Sequence, residues 1–276
     1  MRYLFGFMCV VALGVVPMVG CSETSPDMCD GVSCDDDKEC TNDVCDPASG
    51  ACDFTPVEDG TACTDGACLD GACTALVSVS GIVNLIDNDR ERSLEVSATV
   101  EVLGTSLSTT TDERGDYSFS ALPGDWFFRV SKEGTWGEIE LHTVEPTGPS
   151  YLYFSIFSDA LIAELAEMLT IDVDDTKGWV WLRFDLPSGD GGETATLSAP
   201  YVGAWTWDGD NLVLSDELLP GVAEDLTFFS VGLTDELTVM PMGVDGVNTC
   251  ELRYPDVVHP VMAKFLTSVA IGCAPL

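Results

Sequence analysis

Cysteine and tryptophan are the residues in this chain whose number and spacing could do chemistry. Of twelve cysteines, eight form a dense block: Cys29, Cys34, Cys40, Cys45, Cys52, Cys63, Cys68 and Cys73. Cys250 and Cys273 stand near the C-terminus, while Cys9 and Cys21 stand near the N-terminus. The eight clustered thiols could bind zinc or form cystines. Zinc sites favour cysteine pairs two to four residues apart, often with histidine, and the block contains no histidine. An even count in an exported chain reads instead as four disulfides in the block and a fifth between Cys250 and Cys273. Eight cysteines permit 105 pairings, and the spacing does not choose among them.

Catalysis has little to work with. The only histidines, His142 and His259, are far apart in sequence, and no nucleophile elbow, His-Glu-x-x-His or phosphate-cradling glycine loop occurs. Carboxylates are so numerous that any pair could be nominated as acid and base. No catalytic residue, metal site or cofactor is therefore expected, and the chain does not read as an enzyme. With 47 acidic against 11 basic residues the formal charge is −36. That excludes nucleic acid and anionic headgroups as partners, since both need clustered Lys and Arg. The acidic runs at Asp35-Asp36-Asp37, Asp87-Asn88-Asp89, 172–175 and 208–211 suit either a solvated surface or calcium. None completes a calcium loop.

Tryptophan offers binding chemistry. Trp179 and Trp181 alternate with Val180, Leu182, Phe184 and Leu186, and a strand places alternate residues on opposite faces. The aliphatic set is the natural core face, so the indoles project elsewhere, toward a helix or toward a ligand. Trp205 and Trp207 repeat the spacing. Two readings stand for these four residues: a packed seam, or a platform on which sugar rings stack.

The elements that must carry these residues begin with an export signal. Arg2 precedes an apolar run over 4–19, shorter than the ~20 residues of a membrane-spanning helix. The run ends at Met18-Val19-Gly20-Cys21 and gives way to polar residues. This layout resembles the lipobox of bacterial lipoproteins. The resemblance implies a signal peptide at 1–20, acylation of Cys21, and a lipid anchor in the membrane. Ser22 after the cysteine resembles outer-membrane sorting. The other reading is an ordinary secretory signal with Cys21 left as a thiol. A polar tether at 21–28 follows.

The segment 29–74 has too few large apolar residues for an ordinary core, so cross-links must hold it. Cys29-Asp-Gly-Val-Ser-Cys34 and Cys40-Thr-Asn-Asp-Val-Cys45 resemble the acidic cysteine-rich repeats of exported proteins in social, gliding Gram-negative bacteria. That resemblance implies an extracellular stalk or interaction module.

From residue 75 the texture changes to alternating strands and turns. Val77, Val79, Gly81 and Val83 alternate with polar neighbours, as do Val96, Ala98, Val100 and Val102. Asp112, Gly115, Tyr117 and Phe119 follow in Asp-x-x-Gly-x-Tyr-x-Phe order, then Leu122-Pro123-Gly124. Over 75–147 the chain resembles the carboxypeptidase regulatory-like domain, which implies a prealbumin-type sandwich without a catalyst. One helix is expected over 158–170. Ser158 would cap it, Asp159 would suit its positive end, and Leu161, Ile162, Leu165, Met168 and Leu169 would form its apolar stripe. With that helix, 148–276 reads as a second sandwich. The expected class is mainly β: a disulfide-rich N-terminal segment, then two β-sandwich domains with one connecting helix. The expected function is a non-catalytic, envelope-anchored lipoprotein for adhesion or protein interaction. A glycan-binding lipoprotein using the paired tryptophans is the alternative.

Overall fold

The computed structural model describes residues 27–88, 92–94, 97–185, 189–208, 211–220 and 224–276. The expected signal at 1–20 and Cys21 lie outside them, as do Val96 and Leu186. The described chain is mainly β, with a disulfide-rich N-terminal region, sandwich-like sheets and one described helix. It divides into two compact units.

The first unit comprises 27–37 and 42–55 of the described residues. Its chief regular element is the hairpin of Thr41–Cys45 and Cys52–Pro56. No side chain in it is fully buried, so cystines Cys29–Cys45 and Cys34–Cys52 stand in for a core. Each such cross-link contributes about 2–4 kcal/mol, chiefly by restricting the unfolded chain.

The second unit takes in 38–41 and everything from 56 onward. The single cysteine-rich module expected over 29–74 is thus divided. Cys40–Cys68 and Cys63–Cys73 belong with the second unit, where Cys40, Ala67 and Cys68 are buried. Ser106 Oγ donates to the Gly60 carbonyl at 3.1 Å, joining this cystine-bonded part to the sandwich that follows.

That sandwich packs Asp116–Ala121, Val77–Ile86 and Ser150–Ser158 against a layer of Ser108–Thr110, Thr99–Val102, Gly124–Ser131 and Thr135–Val144. Val79, Val83, Val100, Val102, Phe128 and Phe154 fill its core, as period-two alternation dictates. Ser150–Ser158 runs parallel to Val77–Ile86 along its length. The first sandwich therefore extends past the expected boundary at 147. Its missing strand is supplied by residues whose aromatic run, Tyr151 to Phe154, masks the alternation.

The two sandwiches are not separate sheets. The last strand, Phe265–Pro275, lies parallel to both Thr135–Val144 and Gly178–Asp185, inserted between one sandwich and the other. From Gly178–Asp185 the sheet continues through Asp225–Val231 and Gly203–Asp208 to Asn211–Leu214. Asn248–Leu252 pairs with the last strand on the far side, with Cys250 opposite Cys273 and bonded to it. Val180, Leu182, Phe184, Phe228, Val269 and Ile271 form the second core.

The helix, Asp159–Leu169, buries Leu161, Ile162, Leu165, Ala166 and Leu169. Met168 was expected in that stripe but is exposed. At 100° per residue it falls about 90° from the centre of the buried arc, while Ala166 falls inside it.

Candidate functional site

The helix packs on the tryptophan-bearing face of the second sheet, making a third apolar cluster distinct from the two sandwich cores. The floor of the site follows from alternation and register. Val180, Leu182 and Phe184 point into the second core, which turns Trp179 and Trp181 to the opposite face. On Asp225–Val231, Thr227 stands opposite Trp181 on one side and opposite Trp205 on the other. Neighbouring strands lie about 4.8 Å apart, so two indoles flank a row whose middle position holds only a threonine. A small residue between two large ones makes a hollow. Leu266 stands beside Trp179 on the parallel strand.

A β-bulge shapes the inner end. The register shifts between Gly178 and Val180 against Val231 and Phe228, and Ser230 takes a left-handed backbone with φ 52°. Bulges re-aim side chains. Here the neighbouring Phe229 joins the helix-facing cluster, while Gly203 leaves room for its ring: a Cβ at 203 would lie 2.8 Å from it.

The helix forms the roof with Leu161, Ile162 and Leu165, and Ile86 and Phe157 come from the first sandwich. Between floor and roof is a cavity of about 320 Å³, partly open to solvent, lined by all four of Trp179, Trp181, Trp205 and Trp207. The roof is anchored at its start. Ser158 Oγ accepts the Leu161 N–H at 3.0 Å and donates to Asp87 Oδ1 at 2.6 Å. The Ser158 hydroxyl, with the Asn88 N–H, holds the Asp87 carboxyl below its ordinary range. Lys264 Nζ pairs with Asp159 at 2.8 Å. Thr170 ends the helix in a left-handed conformation, its N–H bonded back to the last turn.

The polar atoms here divide into paired and unpaired. Trp181 donates its indole N–H to the Asp225 carboxylate. Burial pushes the Asp225 carboxyl up, and the Trp181 bond and nearby Arg183 pull it back. Trp179 and Trp205 are only 1% and 8% exposed, and the indole N–H of each has no acceptor among the described residues. Ring packing surrounds them. Trp136 meets Trp179 at 5.3 Å, Phe157 meets Trp181 at 6.2 Å, and Trp205 meets Trp207 at 6.0 Å.

All four tryptophans singled out from sequence thus converge on one cavity. Its walls are concave and close, unlike an open stacking platform. Sequence reasoning missed Asp225, Thr227 and the helix's part in the lining. The alternation of Asp225, Thr227 and Phe229 with Leu226 and Phe228 carried the signal, but which strand lay beside them was not written locally. The two histidines lie away from the cavity. Burial lowers both to about 4, keeping them neutral, and His259 borders a void of about 10 Å³ with Glu140, Tyr254 and Ser268. Among the described residues, every group within metal-ligand reach relies on cysteines that are already bound in cystines.

The chain matches no family model and no curated protein. Three solved structures illustrate what it is similar to. A type II cohesin–X-dockerin complex of Acetivibrio cellulolyticus, an N-terminal interface mutant, gives 16% identity and a TM-score of 0.26 over 33% of this chain and 71% of that one. The shaft pilin SpaA from Lactobacillus rhamnosus GG gives 9% identity and 0.25 over 73% and 99%. The Bacillus anthracis TIE protein gives 10% and 0.25 over 71% and 34%. Likenesses this distant carry no argument about function.

Proposed function

We propose that this protein is a non-catalytic binding module of the cell envelope, tethered through lipid on Cys21, with the four-tryptophan cavity as its binding site. The observation that carries this reading is the convergence of the four indoles on one cavity of about 320 Å³, within the size range of small-molecule pockets. The export signal, the lipobox-like cysteine and five cystines support an oxidising exterior. Among the described residues no helix is long and apolar enough to cross a membrane, so the expected anchor is the acylated cysteine. Labelling with radioactive palmitate tests it: label should appear in the full chain and vanish in Cys21→Ser, and an unlabelled wild type would remove the anchor.

The binding site is tested with N-phenyl-1-naphthylamine, a neutral apolar dye that accepts energy from tryptophan. Energy transfer should saturate at one equivalent of dye. Thr227→Leu, which places a larger side chain between Trp181 and Trp205, should abolish it without loss of the thermal transition. Absence of saturable transfer, or equal transfer in the variant, would overturn the assignment. Glycan binding is the second reading, favoured by the two Trp pairs at period-two spacing. It requires chito- or cello-oligosaccharides to displace the dye.

A further inference from the structure

Among the described residues, the lining of the cavity under the helix holds one ionisable side chain, Asp225. It opens the strand Asp225–Val231 opposite Arg183. Trp207 stands on its other flank, next to the paired Thr206 and Leu226. Trp181 donates its indole N–H to the carboxylate. The positive charge nearby is shared. Arg183 bonds Glu140, lies 5.6 Å from the Trp181 ring centroid, and acts through its charge on both Asp225 and Glu138. His142 is 3.1 Å from Glu140, but burial keeps it neutral. One guanidinium thus answers three carboxylates. Burial raises the Asp225 carboxyl more than Trp181 and Arg183 lower it, so the partners the protein supplies leave its charge incompletely offset.

We infer that the cavity takes a cationic amphiphile, with an alkylated ammonium head against Asp225 and the indole faces and an apolar body under the helix. This inference rests on the cavity being the binding site. Any occupant strips water from Asp225, and a carboxylate that loses water without gaining a partner is costly. A neutral apolar body gives nothing in return. An anion adds repulsion, on a chain whose formal charge is already −36. A cation offsets the carboxylate, and the part-exposed indoles Trp181 and Trp207 attract it through their electron-rich faces, Trp being the strongest side chain for this contact. The aliphatic walls decide between kinds of cation. Leu161, Ile162, Leu165 and Leu266 cannot replace the oxygen ligands of a metal ion, but they pack well against methyl and methylene groups.

Three probes of nearly one shape isolate the charge: phenyltrimethylammonium, its neutral carbon isostere tert-butylbenzene, and the anion benzenesulfonate. Each is titrated against the dye-loaded full-length protein at constant ionic strength. The expected result is displacement by the cation at a concentration about ten-fold below that of the isostere, as an ion pair joined to a cation–π contact allows, and no displacement by the anion. In Asp225→Asn the ratio of cation to isostere should fall toward one. Equal potency of cation and isostere in the wild type would overturn the inference while leaving the binding site standing. So would displacement by the anion at the cation's concentration, or a ratio unchanged in Asp225→Asn. The wild-type ratio decides by itself if that variant loses its thermal transition. If the dye does not bind in a saturable manner, the site reading falls first and this inference goes with it.

Discussion

The core of the first sandwich and the tryptophan cluster under the helix are both apolar and both aromatic, yet they treat polar atoms in opposite ways. In the first, Tyr117 is buried and its hydroxyl donates to the Leu152 carbonyl at 3.2 Å. Burial pushes that phenol far above its ordinary value, so the hydroxyl remains a donor at any physiological pH. In the second, Trp179 and Trp205 bury their N–H groups with no acceptor among the described residues, in the walls of a cavity. Filled space with paired polar atoms is the signature of a structural core. Open space lined by aromatic and aliphatic side chains marks a place that something else can fill.

Adding volume should break the first region and leave the second intact. At Gly81 a Cβ would lie 1.8 Å from the Leu152 carbonyl oxygen and 2.6 Å from the Tyr117 hydroxyl. The glycine is what lets the tyrosine ring lie over the strand and reach its acceptor. Gly81→Ala is expected to cost at least about 3 kcal/mol in chemical denaturation, as overpacked backbone contacts do. Thr227→Leu adds more atoms but into open space, and is expected to be neutral or stabilising by about 1 kcal/mol. Were both variants to lose similar stability, the two regions would be equally packed and the cavity would have no claim to be a site.

The contrast was only half legible in the sequence. Period two separates Val180, Leu182 and Phe184 from Trp179 and Trp181, so the two faces of Gly178–Asp185 are readable from sequence alone. The cap at Ser158 and the apolar stripe of the helix were readable for the same reason: both are written within a few residues. What brings Thr227 between two indoles is cross-strand register, and what stitches the sandwiches together is a parallel last strand. Both depend on partners tens of residues away, and local periodicity carries no record of them. Within the eight-cysteine block the pairings are unreadable for a related reason, since spacing alone does not rank 105 alternatives, whereas the expected Cys250–Cys273 bond is present. Local pattern does not place Ser150–Ser158 in the first sandwich, because its partner, Val77–Ile86, lies about seventy residues upstream.

The finest test compares single hydrogen-bonding groups. Tyr117→Phe deletes a paired hydroxyl and strands the Leu152 carbonyl, which is expected to cost about 1 kcal/mol. At Trp179 the equivalent deletion is made by incorporating β-(3-benzothienyl)alanine, which keeps the bicyclic shape and replaces the N–H with sulfur. No acceptor is stranded there, and the desolvation penalty of an unmet donor disappears. Stability should therefore stay level or rise by a few tenths of a kcal/mol, measured by the same denaturation series. A destabilisation matching that of Tyr117→Phe would mean the indole N–H is bonded in the free protein. The first sandwich and the tryptophan cluster would then differ in volume alone.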